Sequence, residues 1–175
     1  MPLPVVGKPS GEEPGGDFTW FIYGSSLDAA SLEAWSREHG YAPPDLGRGK
    51  PARLAGWRLS FDVVSRHWGG AVASIEEASG DWVEGLAVPM PASARGLVDH
   101  KEGVVTGLYR PVAVRVRPVA GGPEVDAIAY RAAPGRRLAT EGAPAFAFLD
   151  AVVRGARACG LSAGWIERLE ALEKR

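Results

Sequence analysis

Phe18-Thr19-Trp20-Phe21-Ile22-Tyr23-Gly24-Ser25-Ser26-Leu27-Asp28 decides how the rest of the chain is read. Phe18 to Ile22 is aromatic and β-branched, the composition of a strand. Behind it Ala29 to His39 has helical spacing, with Asp28 at the N-cap, Leu32 and Trp35 on one face, and Gly40 as the stop. A strand therefore runs straight into a Gly-Ser-Ser turn that opens a helix. Such turns aim several backbone N–H groups at one place, which suits an anionic or carbonyl oxygen. Gly24 permits close backbone approach or a positive φ. The same five residues, Tyr23 to Leu27, also read as a plain tight connection, and taken alone they do not decide between the two.

Downstream, Tyr41 to Lys50 holds two prolines and two glycines and reads as a loop. The period then changes to two. Trp57, Leu59, Phe61 and Val63 alternate with Arg58, Ser60 and Asp62, which marks a half-buried strand over 52–65. Arg66 to Gly70 is a turn and Ala71 to Glu76 a second strand. Ala78-Ser79-Gly80-Asp81 reads as a hairpin turn into a third, Trp82 to Val88, giving an antiparallel meander. Pro91 to Glu102 predicts a short helix with Ala94, Leu97 and Val98 inward and Gly103 as its stop. Leu108 to Val119 and Val125 to Tyr130 are strands joined across Gly121-Gly122-Pro123, and Ala133 to Gly142 is a loop. Pro144 is expected to open a helix with Phe146, Leu149, Val153 and Ala156 as its apolar stripe, closed by Gly160. Ser162 caps a last helix carrying Trp165, Ile166, Leu169 and Leu172. Strands and helices without regular βαβ alternation predict an α+β fold, a curled, largely antiparallel mixed β-sheet or barrel with flanking helices.

Residues 1–17 are dominated by Pro, Gly and charge and are expected to form a flexible leader, with one domain over 18–175. A net charge of −1 gives no electrostatic reason for nucleic acid or an anionic membrane as partner. A single cysteine, Cys159, excludes an internal disulfide framework and fits a reducing compartment. The three histidines are scattered, so no metal-ligand cluster is visible. No apolar run approaches the roughly 20 residues of a membrane span, and no signal-peptide pattern opens the chain. The expectation is cytoplasmic. Monomer and homodimer are both open.

Val98-Asp99-His100-Lys101-Glu102-Gly103 carries the candidate chemistry. Asp99 and Glu102 are three apart and share a helix face. The negative end of the helix dipole and the Asp99 charge both push a carboxyl pKa at Glu102 upward, which suits a general base near neutral pH. A solvated acid on a surface helix fits the same residues. Tyr109, just after the Glu-Gly motif, and Tyr130, at the end of the returning strand, read from the sequence as core tyrosines with satisfied hydroxyls. His100 and Lys101 are expected to face outward. Trp57, Trp68 and Trp82 are assigned to core or rim, and the Arg131, Arg136 and Arg137 cluster to solvated loop charge.

Tyr23-Gly24-Ser25-Ser26-Leu27 followed by Asp99-x-x-Glu102-Gly103-Val104 and Gly107-x-Tyr109-Arg110 resembles the γ-glutamylcyclotransferase family. The likeness continues in Leu54 to Phe61, in Trp68-Gly69-Gly70-Ala71-Val72-Ala73-Ser74-Ile75, and in Gly155-Ala156-Arg157-Ala158-Cys159-Gly160-Leu161, spanning residues 18–172. The resemblance implies a cofactor-free internal aminolysis of a γ-glutamyl amide, most simply a γ-glutamyl amino acid, to 5-oxoproline and a free amine. It places the catalytic carboxylate on Glu102 and substrate binding on Tyr23, Gly24, Ser25, Ser26, Leu27, Tyr109 and Tyr130, with no metal. Glutathione or a γ-glutamylated natural-product amine are alternative substrates, and a diverged non-catalytic small-molecule binding domain is the alternative role. Several positions depart from the family pattern. Ser26 stands for the usual Asn, Glu84 and Val88 for aromatic residues, and Phe146 for a tyrosine. Ala143-Pro144 and Ser162 to Trp165 also differ.

Overall fold

β1 (Phe18–Ile22) is the strand the sequence predicts, and its last three residues are buried. The computed structural model describes residues 16–175, so the expected leader over 1–17 lies, but for its last two residues, outside them. β2 (Lys50–Ser65) and β3 (Gly70–Met90) form a long antiparallel hairpin. β4 (Tyr109–Pro118) and β5 (Val125–Ala132) form a second. β1 joins them, antiparallel to β3 and parallel to β5 through Trp20 opposite Ile128, and the five strands close a barrel in the order β1-β3-β2-β4-β5. One parallel pairing in an otherwise antiparallel barrel gives the curled mixed sheet of an α+β fold. α1 (Ala29–Glu38), α2 (Arg95–Lys101), α3 (Phe146–Ala158) and α4 (Ala163–Glu173) flank it.

The predicted three-stranded meander is corrected to two long strands. Ala78 to Asp81 does not reverse the chain: Ala55 pairs with Trp82 and Trp57 with Glu77, so the four residues bulge out of a continuing ladder. Gly80, within the bulge, has φ 85°, and Gly56, between the paired Ala55 and Trp57 of β2, has φ 82°. A bulge and a turn need the same left-handed glycine, so local chemistry cannot separate them.

Strict alternation on β2 also fails at its far end, where Ser60 and Asp62 are buried beside Phe61 and Val63. The 133–142 loop folds over this end, with Leu138 N–H donating to the Asp62 carbonyl at 2.6 Å and Gly142 N–H to that of Phe61 at 2.8 Å. Asp62 is thereby enclosed and accepts from Arg137 Nε at 2.7 Å.

α3 begins later than Pro144 predicts. Ala145 N–H donates to the Ala71 carbonyl at 2.8 Å, which holds Pro144 and Ala145 extended against β3. The helix starts at Phe146, whose side chain is 68% exposed, and Phe148 takes the inward place ahead of Leu149, Val153 and Ala156. The cap predicted for α4 is present, Ser162 Oγ accepting from Trp165 N–H. Glu84, fully buried, accepts from Ser162 N–H at 2.5 Å and from its hydroxyl at 2.7 Å, so this departure serves the α3–α4 connection.

Candidate active site

β1 delivers its end, Tyr23 and Gly24, to a 3-10 turn over Ser25–Leu27 that leads into α1. Leu27 N–H donates to the Gly24 carbonyl at 3.1 Å and Asp28 N–H to that of Ser25 at 3.0 Å. The amides of Ser25 and Ser26 open this turn and so have no carbonyl partner within it. Gly24 has φ −107°, so the positive φ its glycine allows is not used. A different glycine is sterically required. On α3, a methyl at Gly155 would lie 2.3 Å from the Leu27 carbonyl carbon and 2.5 Å from Asp28 N. Helix and turn touch backbone to backbone there.

α2 ends at Lys101, with Glu102 as its C-cap and Gly103, at φ 67°, turning the chain away. The resulting arrangement is one cavity of about 620 Å³ lined by Tyr23 to Ser26, Lys101, Glu102, Tyr109 and Tyr130, with α1, the 65–68 turn and α3 completing the wall. Of the sequence-predicted site residues the cavity gathers Glu102, Tyr23, Gly24, Ser25, Ser26, Tyr109 and Tyr130. Leu27 is the exception: it is fully buried beneath the turn and shapes it without reaching the cavity.

The Glu102 pKa is raised to about 7. Burial is the main cause; the Lys101 charge opposes it and Asp99 adds to it. Asp99 pushes in the direction the sequence predicts, but burial outweighs it. Asp99 instead accepts from the Tyr130 hydroxyl at 2.5 Å and from Arg95 Nε at 3.0 Å, which fixes the tyrosine. Tyr23 donates to the Tyr130 carbonyl at 2.5 Å and Tyr109 to the Ala73 carbonyl at 2.6 Å. Burial, first among several causes, pushes all three phenols well above their ordinary pKa, so they stay protonated. Each gives its proton to the protein and keeps oxygen lone pairs as acceptors.

Sequence reasoning missed part of the wall. Lys101 lines the cavity instead of facing outward, whereas His100 is exposed as expected. Trp35 and His39 stack on each other at 4.2 Å, and Trp68 meets Phe148 edge-on at 5.8 Å; all four line the cavity. The Leu32–Trp35 spacing signalled an inward face but not what that face encloses. The arginine cluster stays outside: Arg137 pairs with Asp62 and Glu76, Arg136 donates to the Thr106 carbonyl, and Arg131 lies over Trp57. Among the described residues no group of three or more His, Cys, Asp or Glu is placed to hold a metal, and no helix is long and apolar enough to cross a membrane.

Residues 82–169 match the model of the AIG2-like family. The chain is 27% identical to a γ-glutamylcyclotransferase of Bos taurus over 91% of its own length and 80% of the relative's. The human γ-glutamylcyclotransferase is likewise 27% identical, over 89% and 79%. A solved structure of a γ-glutamyl cyclotransferase superposes with a TM-score of 0.71 at 24% identity, covering 89% of this chain and 87% of that one, and shares its fold.

Proposed function

The chain belongs to the AIG2-like family, and on that footing we propose that it is a γ-glutamylcyclotransferase that turns a γ-glutamyl amide, first of all a γ-glutamyl amino acid, into 5-oxoproline and a free amine. The observation that carries this reading is the shared cavity: Glu102 and the Gly24–Ser26 amides line one space with three protonated tyrosines.

The substrate's α-ammonium cannot attack a carbonyl until it loses a proton. Glu102, with a pKa of about 7, is substantially ionised at neutral pH and still basic enough to take it. The tyrosine oxygens accept from the nitrogen and steady it. The freed amine attacks the γ-carbonyl carbon, and negative charge grows on the carbonyl oxygen opposite the Ser25 and Ser26 N–H groups. The attacking nitrogen sheds a second proton as the tetrahedral intermediate collapses by breaking the original C–N bond, and both protons, relayed through Glu102, end on the departing nitrogen, which leaves as an ammonium. No water is consumed and the carboxylate ends as it began.

A positioned acid/base contributes about 10²–10⁴ in rate, and one oxyanion donor about 10²–10³. Ring closure is already unimolecular, so the cavity's remaining task is to hold the glutamyl chain folded back on itself.

The experiment is incubation with γ-glutamyl-alanine and detection of 5-oxoproline and alanine by mass spectrometry. Equimolar appearance of both is expected. Glutamate in place of 5-oxoproline means hydrolysis and refutes the reading; binding without product assigns the chain to the non-catalytic alternative.

A further inference from the structure

Lys101 is the one Lys or Arg among the described residues that line the cavity. Its Nζ lies 5.5 Å from the centre of the Trp35 ring, which belongs to the same wall. Among the described residues no carboxylate stands within ion-pair distance of it; the paired carboxylates are all taken by arginines. The side chain is half-buried, and burial lowers its pKa even against the pull of Glu102. An ammonium withdrawn from water without a bound anion is a costly arrangement that an incoming carboxylate relieves.

The reaction supplies that anion in the right neighbourhood. Glu102 must face the α-nitrogen of the glutamyl group, and the α-carboxylate is bonded to the same carbon. Lys101 lines the same cavity as Glu102 and, among the described residues, is the one Lys or Arg there to supply its counter-charge. Resting on the cyclotransferase reading, we propose that Lys101 binds the α-carboxylate of the γ-glutamyl half and orients the α-nitrogen toward Glu102. Recognition then lies in the half that all γ-glutamyl amides share. The amine half then needs no carboxylate of its own.

Calorimetric binding tests this in the Glu102→Gln background, where ligand is held without turnover. The titrants are γ-glutamyl-alanine and γ-glutamyl-methylamide, the second lacking a carboxylate on its amine half. Adding Lys101→Met weakens both by about 10- to 100-fold, the range for losing a charge-assisted hydrogen bond. Adding Lys101→Arg, which keeps the charge, holds affinity within about tenfold. A loss confined to γ-glutamyl-alanine places Lys101 on the amine half and overturns the proposal. Unchanged affinity for both also overturns it, including when Lys101→Met shifts only the pH profile of turnover. Wild-type turnover, measured alongside, separates the two readings. Normal 5-oxoproline production with unchanged Lys101→Met binding removes only the role of Lys101; weakened binding without any wild-type product removes only the cyclotransferase.

Discussion

Gly155→Ala tests whether α3 sets the geometry of the Gly-Ser turn. The added methyl would sit 2.3 Å from the Leu27 carbonyl carbon, 2.5 Å from Asp28 N and 2.6 Å from Leu27 Cβ. Ordinary carbon contacts lie at about 3.5–4.0 Å, so turn and helix must part by roughly 1 Å. Two of the three obstructing atoms are backbone and cannot rotate aside. Overpacking of this kind costs about 1–3 kcal/mol, while alanine in a helix interior regains about 0.8–1.0 kcal/mol over glycine. The net loss is about 0–2 kcal/mol, which lowers the melting temperature by up to roughly 8 °C for a chain of this size. Activity suffers more than stability, because a displacement of about 1 Å at a reacting centre can cost on the order of 10²-fold. The control is Gly164→Ala on α4, where a methyl meets nothing within 4 Å; it is expected to stabilise by about 0.4–1 kcal/mol and leave turnover alone. Thermal melting and 5-oxoproline production are measured on both. If Gly155→Ala matches Gly164→Ala in each, α3 does not hold the turn and the steric argument is wrong.

With Glu102 as the proposed base, the acid limb of kcat/KM is expected to fall with a midpoint near pH 7, because its pKa is raised to about 7; a midpoint near the ordinary carboxylate value refutes the burial argument. Stability carries the same signature. Between the ordinary value of 4.5 and about 7 the folded state holds a proton that the unfolded state has lost, so stability declines as pH rises through that window. Glu102→Gln is therefore about 1–3 kcal/mol more stable than wild type above pH 7 and loses the advantage below pH 4.5, measured by urea denaturation at pH 4 and pH 8. Glu84→Ala leaves Ser162 N–H without its acceptor and is expected to cost about 2–4 kcal/mol in the same assay. The half-exposed Arg53 that also pairs with Glu84 contributes little to that figure. Activity per folded molecule stays unchanged, because Glu84 does not line the cavity.

The elements legible in the sequence were those whose signals are local. β1, α1, the Gly103 stop and the Ser162 cap all follow from periodicity and terminal signals over a few residues. Asp28 at the N-cap of α1, however, makes no side-chain cap hydrogen bond, and its carboxylate accepts instead from Ser31 Oγ and Arg154. What was not legible depends on distant partners. Ala78 to Asp81 has the chemistry of a turn, and only pairing with β2 on both sides makes it a bulge. Phe146 fits a helical stripe until the Ala145–Ala71 hydrogen bond delays the helix and puts Phe148 inside. Lys101 faces the cavity because α1 and the barrel mouth close around the end of α2, and no spacing within 95–103 records that. Leu27 shares a motif with the turn amides, yet it belongs to the core beneath them.

The most direct measurement is the rate of 5-oxoproline formation from saturating γ-glutamyl-alanine by wild type and by Glu102→Gln at pH 8, with binding and circular dichroism recorded on the same samples. A fall of about 10²–10⁴ with fold and binding retained is the expected result for loss of the proton carrier. Product formed by Glu102→Gln at the wild-type rate would contradict it, and the chemistry would then have to be carried by another group in the cavity.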